Sequence, residues 1–498
     1  MDWKNQLTRT HYLVLFILLI TIGVGTASIN SAYAVEFISK FGSHCILPST
    51  SGCVDPDGAG PLEIGDGEFN DPVGISVDNT GDIYVADVFN NRIQKFDSNF
   101  GFLLKLDACC FNEGQFIRPS GITVDSSDNI YVAENNNHRV QKFDSDGNFL
   151  LMWGWGVNSG SAAFETCMSN CQGGISGSGD GQFDDPRGLA LDSSGNIFVV
   201  DSENDRVQKF DSAGNFVSKF GSFCNMDKNG DGILGDPSPE CVDPDDEGPL
   251  DVGDSQFWFP QDIALDGSNN IYVLDSNNHR IQKFDSNGNF QSDIGGGRCV
   301  IETGDDCEDL DDSGPLELGD LQFNGPRGMA VSSSGTIYVA DSQNNRIQKF
   351  DSIGGFEKFG SFCRVDLNMD GTPDDPGPEC IDPDGEGPLE AGDGQFSSPE
   401  GIAIDISGNI YVTEIGNDRV QKFGIPQCNP PNSDDWSITE SCEISSDIIA
   451  PASVIIQNNS VVTINPGGSL TVTSGENIIV VDGSGLKLLQ GSTLNVLS

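Results

Sequence analysis

The stretch Pro186 to Phe216 reads PRGLALDSSGNIFVVDSENDRVQKFDSAGNF, and its grammar recurs six times along the 498-residue chain. The arginine of each copy falls at Arg92, Arg139, Arg206, Arg280, Arg346 and Arg419, followed each time by one apolar residue and then Gln-Lys-Phe. Within a copy, four short apolar runs alternate with turn chemistry: Gly188 to Leu191, Asn196 to Val200, Arg206 to Phe210 and Asn215 to Phe220. The Asp-Ser-Ser-Gly-Asn and Asp-Ser-Ala-Gly-Asn separators supply residues that tolerate positive φ, which tight hairpins require. One copy therefore predicts a four-stranded antiparallel meander. Such a sheet cannot bury both faces alone, so the copies must pack on one another, and radial packing closes them into a ring of six blades.

The pattern P-x-G-I-x-V-D, then N-I-Y-V-A-D, then N-N-R-I-Q-K-F, resembles the NHL repeat over roughly residues 35–424. The resemblance implies an all-β, six-bladed β-propeller. Ring closure is written in the chain as well. The sixth copy stops at Phe423-Gly424 and lacks the last strand, which another copy writes as NFVSKFGS from Asn215 to Ser222. The run VEFISKFGS from Val35 to Ser43, ahead of the first copy, is that strand. The N-terminal strand is thus expected to complete the sixth blade.

Residues 1–34 carry Lys4 and Arg9, an apolar run from Tyr12 to about Val24, and Ala32-Tyr33-Ala34. That order reads as a secretory signal peptide, with a retained anchor as the alternative; no membrane insertion is expected after signal removal. Either way the propeller lies outside the cytoplasm, secreted or at the cell surface. Cysteine usage agrees. The fourteen cysteines form local pairs: Cys45 with Cys53, Cys109 with Cys110, Cys167 with Cys171, Cys224 with Cys241, Cys299 with Cys307, Cys363 with Cys380, and Cys428 with Cys442. Repeated spacings in equivalent loops point to disulfide staples in an oxidising compartment. Paired C-x-x-C units for zinc are absent. Cys109-Cys110 is either a vicinal disulfide or paired elsewhere.

With 76 acidic against 25 basic residues, the formal charge is -51. A nucleic-acid partner needs a basic track, which the chain lacks. So large a like charge opposes the compact state and calls for salt or bound divalent cations to offset it. Four blade-to-blade loops share an acidic motif, as in CVDPDGAGPLEIGDGEF from Cys53 and CIDPDGEGPLEAGDGQF from Cys380. These read as hard-oxygen environments suited to calcium or as solvated acidic loops. Two loops go further. Asp227, Asn229 and Asp231, and Asp366, Asn368 and Asp370, form D-x-N-x-D-G runs whose alternate side chains can converge on one ion. They resemble the first half of an EF-hand-type loop, without its twelfth-position Glu; Asp236 in the first, and Asp374 with Asp375 in the second, are candidates for the remaining ligands. Structural calcium is the expected cofactor.

The repeat arginines are expected to pair with the carboxylates ending each second strand, Asp87, Glu134, Asp201, Asp275, Asp341 and Glu414, because regular recurrence suits a structural device. The Lys of each Gln-Lys-Phe reads as outward and solvated. His138 and His279 stand where other copies place Asn or Asp, and read as turn residues. No catalytic or cofactor-binding residue is assigned, and no nucleophile elbow, zinc helix, phosphate loop or dinucleotide motif appears. After a linker at 425–452, residues 453–498 repeat apolar runs about eight residues apart, which predicts a small solenoid- or sandwich-like β module for attachment or self-assembly. The reading reached from these residues is a calcium-stabilised extracellular scaffold that binds protein or glycan through the face bearing the blade-to-blade loops. Alternatives are a metal-dependent hydrolase or lyase, lactonase-like, at the central channel, and a structural component of an extracellular layer.

Overall fold

A computed structural model describes residues 36–43, 65–107, 112–224, 253–295, 321–350, 356–360 and 393–424, with short strand segments between 436 and 496. Residues 1–34 and most of the acidic loops lie outside the described residues.

Each repeat folds as the meander that its turns dictate. The third copy runs Pro186–Leu191, Ile197–Asp201, Arg206–Phe210 and Phe216–Phe220, antiparallel throughout and in that spatial order. The turn after its first strand closes with Gly195 at φ 77°, and the turn after its third with Gly214 at φ 78°. Second strands such as Ile197–Asp201 and Ile271–Asp275 are buried at every position. They have no solvent face because a blade sits against each side. Alternate residues serve the two interfaces. Tyr131 and Ala133 pack towards Leu189 and Val199 of the next blade, while Ile130 and Val132 pack towards Tyr84 and Ala86 of the preceding one. The core is therefore six wedges, one between each pair of neighbouring blades.

The ring closes as expected. Glu36–Phe41 pairs antiparallel with Arg419–Gly424, setting Phe37 opposite Phe423 and Phe41 opposite Val420. Phe41 then reaches into the next wedge, with ring centroids 4.3 Å from Phe100, 4.7 Å from Phe96 and 5.8 Å from Phe69. Blade two carries a fifth strand, Phe164–Cys167, which the repeat pattern does not announce. Cys167 and Cys171 form a disulfide beside Met152 and Val157. Cys224 is also disulfide-bonded. Cys45, Cys53, Cys241, Cys299, Cys307, Cys363, Cys380 and Cys428, and the Cys442 side chain, lie outside the described residues.

The tail strands pair in parallel, each with the third strand after it: Trp436–Ile438 with Val454–Ile456 and then Ile478–Val480, for example. Three such sheets enclose Ala450, Val454, Ile456, Val462, Leu470 and Val472. A parallel register of this period is a three-sided solenoid, because each strand stacks on its counterpart one coil earlier. Among the described residues, no helix is long and apolar enough to cross a membrane.

Candidate binding face and channel mouth

Strand pairing fixes which turns share a face. Asp201, at the end of its second strand, lies opposite both Arg206 and Pro186. The turns between second and third strands therefore emerge on the same side as the starts of the first strands and the blade-to-blade loops.

On that side each repeat arginine is buried and bonded to its expected carboxylate. The Nε to oxygen distances are 2.7 Å for Arg92 and Asp87, 2.6 Å for Arg139 and Glu134, and 2.7 Å for Arg206 and Asp201. They are 3.0 Å for Arg280 and Asp275, 2.7 Å for Arg346 and Asp341, and 2.6 Å for Arg419 and Glu414. The network is larger than the pair. In blade three, Arg206 donates to the carbonyls of Ser178, Gly179 and Gln182, and Gln208 donates to Gln182 O and to Asp201. Asp201 also accepts from the Asn204 amide and the Asp184 N–H. A buried charge is tolerable only when so fully satisfied. In blade three these groups fasten the end of the incoming loop and are spent on it.

The residue before each arginine adopts a left-handed conformation, with φ 48–53° at Asn91, His138, Asp205, His279, Asn345 and Asp418. Its side chain stitches the ring. Asn91 accepts the Arg118 N–H, Asp205 that of Phe259, Asn345 that of Ser398, and Asp418 that of Asp71, all within 2.7–2.9 Å. His279 Nδ1 accepts from Gly325 at 3.3 Å. His138 Nδ1 stands 3.6 Å from Asp184, and burial holds its imidazole below the ordinary range. Both histidines are thus turn residues at blade junctions.

The lysines differ from the sequence reading. Lys95 lies over the Tyr84 ring at 4.9 Å and pairs with Asp82 at 3.0 Å; Lys142 covers Tyr131 at 4.8 Å and Lys209 covers Phe198 at 4.7 Å. The aromatic of each second strand offers a π face directly across the register, so the lysine stem packs there rather than extending into water. Carboxylates at the ends of three blade-to-blade loops are likewise committed to lysine. Asp66 pairs with Lys105 at 3.1 Å, Asp180 with Lys219 at 2.7 Å, and Asp393 with Lys40.

The opposite face is closed on itself. Asp144, Asp211 and Asp285 each accept the side-chain amide and N–H of the Asn four residues on, which holds these carboxyls below the ordinary range.

At the centre, the first strands of all six blades line a channel of about 330 Å³. A backbone Cβ at Gly121 would stand 1.9 Å from the Arg187 carbonyl, and one at Gly328 1.9 Å from that of Glu400. Glycine is therefore required where each inner strand abuts the next. Blade four departs from the rule with Asp262, whose carboxylate accepts the N–H groups of Ile263 and, in blade five, Met329, both at 2.8 Å. Burial pushes its carboxyl up to about 7. The position after the repeat proline rings the mouth with six side chains: Val73, Ser120, Arg187, Gln261, Arg327 and Glu400. Arg187 donates to Gln261 at 2.8 Å and pairs with Asp185 at 2.9 Å, its guanidinium 5.2 Å from the Phe259 ring centre. Arg327 donates to Glu400 Oε1 at 3.1 Å. Glu400 is 5% exposed, and its Oε2 accepts no hydrogen bond.

Sequence reasoning passed over this ring, although aligning the six copies exposes it: the residue after proline is where a near-constant repeat varies in charge. The expected calcium ligands Asp227, Asn229, Asp231, Asp236, Asp366, Asn368, Asp370 and Asp374 all lie outside the described residues. Among the described residues, no three of His, Cys, Asp or Glu are grouped as a metal site requires.

The NHL repeat family model matches residues 69–96, 116–143, 183–210, 257–284 and 323–350. Similar proteins include Protein brain tumor of Drosophila melanogaster, 27% identical over 194 residues, covering 38% of this chain and 14% of that protein. Human Teneurin-1 is 24% identical over 260 residues, covering 49% of this chain and 8% of its own length. NHL repeat-containing protein 2 of Bos taurus is 33% identical over 98 residues, 20% of this chain and 12% of that protein. The matches thus span under a sixth of each relative. Among solved structures, a streptogramin B lyase aligns over 73% of this chain and 95% of its own with TM-score 0.37 and 14% identity. A gluconolactonase from Xanthomonas campestris aligns over 78% and 98% with TM-score 0.38 and 14% identity. Both are too remote to carry chemistry across. The matched repeats, the six antiparallel blades and the N-terminal strand that completes the last of them place the chain in the NHL-repeat family, as a six-bladed β-propeller.

Proposed function

We propose that the chain is an extracellular binding scaffold that recognises a protein or glycan through the face bearing the blade-to-blade loops, with disulfides and calcium stiffening those loops. One observation carries the reading: the two faces differ in how their polar groups are spent. The opposite face consists of short, similar turns whose polar groups are largely satisfied within the turn, several of the carboxylates by the asparagine four residues on. The loop face carries side chains that vary between blades, including Phe89, 43% exposed with Arg118 stacked on it at 4.4 Å. Variation on a rigid scaffold is how recognition surfaces are built. The signal-like N-terminal segment and the disulfides support a secreted or surface location.

The test places changes on both faces of the full chain: Phe89→Asp with Arg118→Glu on the loop face, and Ser194→Arg with Asn287→Arg on the other. Retention of partners from extracellular extract, measured by cross-linking and mass spectrometry, is expected to fail for the first pair and persist for the second. Loss confined to the second pair would overturn the reading.

A further inference from the structure

The mouth of the central channel holds a set of groups that neither the blade network nor the outer loop face uses. Ring order follows the contacts between inner strands, which run from blade one through six and back to one. Arg187 of blade three therefore stands across the channel from Glu400 of blade six; burial pushes the Glu400 carboxyl above its ordinary range, and the charges of Arg327 and Arg187 oppose that shift. Arg327 flanks Glu400 from blade five, with its side chain 41% exposed. A carboxylate oxygen buried without a hydrogen bond carries a full desolvation cost. Glu400 lines the channel, so a modest shift of its side chain presents that oxygen to a ligand that donates to it.

The flanking charges narrow the chemistry. An anionic ligand would face Glu400 within a chain of formal charge -51, and a cationic one would face two guanidiniums. Hydroxyl groups escape both conflicts, because each donates to a carboxylate and accepts from a guanidinium or an amide N–H. The whole channel, at about 330 Å³, sits at the lower end of ligand pockets, which run about 300–1,000 Å³. Phe259 beneath Arg187 fixes one guanidinium at the rim.

We propose that this mouth is a binding site for a neutral saccharide of one or two rings, with Glu400 accepting from a hydroxyl and Arg327, Arg187 and Gln261 completing its hydrogen bonds. The site is separate from the outer rim where a macromolecular partner would dock.

Calorimetric titration of the full chain tests it, using glucose, galactose, mannose, N-acetylglucosamine, maltose, cellobiose and lactose, with glucuronate and glucosamine as charged counterparts. At least one neutral sugar is expected to bind saturably at millimolar concentration or below. Glu400→Ala and Arg327→Ala should each weaken it by about tenfold or more, as loss of a hydrogen bond to a charged group does; Ser194→Ala on the opposite face should not. Circular dichroism and the thermal midpoint check folding, and the exposed Arg327 variant carries the test if Glu400→Ala does not fold. Absence of binding by every neutral sugar, preference for glucuronate or glucosamine, or binding unchanged in the Arg327 variant would each overturn the proposal. Binding that survives Phe89→Asp with Arg118→Glu keeps this site distinct from the outer face, whichever way the partner experiment falls.

Discussion

At the scale of single residues, burial decides which charged groups are structural. Arg206 holds one carboxylate and three carbonyls at once, a geometry that only a planar, multiply donating cation can serve. Arg206→Met should lower the unfolding free energy by about 3–5 kcal/mol, because it strands Asp201 as an unpaired buried charge. Arg206→Lys should not restore it. Urea denaturation followed by tryptophan fluorescence reads both. Asp262 offers a pH test. Its carboxyl is pushed up to about 7 by burial, against an ordinary value of 3.8. A folded state that binds this proton more tightly than the unfolded chain is favoured at low pH. The stability is therefore present below about pH 4 and is lost as pH rises towards 7. Asp262→Asn removes that dependence, so its stability relative to the wild type should climb by roughly 1–3 kcal/mol between pH 4 and pH 8. Parallel pH curves for the two proteins would show that Asp262 ionises without penalty.

At the scale of elements, the N-terminal strand is the closure. Glu36–Phe41 supplies the fourth strand of blade six, and its Phe41 fills the wedge towards blade one. A ring held by its own chain ends resists opening only as well as that strand packs. Phe41→Ala should cost about 3–4 kcal/mol, within the usual range for deleting a packed phenylalanine. Val217→Ala, at a 52% exposed site on the outer strand of blade three, should stay within about 0.5 kcal/mol. Thermal midpoints separate the two, and equal effects would mean that closure does not depend on this strand.

At the scale of the whole molecule, the net charge of -51 sets the problem that the loops must solve. Several loop carboxylates are already neutralised by lysines of the outer strands. Among the loops, the D-x-N-x-D-G runs are the strongest candidates for divalent ions. Calcium at fixed ionic strength is expected to raise the unfolding midpoint more than sodium or magnesium does. Asp231→Ala with Asp370→Ala should remove most of that gain. An equal rise with sodium would assign the acidity to charge screening instead.

The sequence by itself determined the blades, their number and the closing strand, because short apolar runs, positive-φ turn residues and a missing fourth strand are local facts that repeat. It determined the arginine pairs for the same reason: recurrence at one register position in every copy marks a scaffold contact. What only the tertiary structure decided depends on residues far apart in the chain. Ser120, Arg187, Gln261, Arg327 and Glu400 each look like incidental variation within a repeat, and they meet at one channel mouth only when ring closure brings their strands to one axis. The lysines needed a partner strand to supply the ring they cover, and the tail needed its parallel register to be a solenoid rather than a sandwich. Local chemistry writes the blade; the geometry of closure chooses which of its exceptions meet.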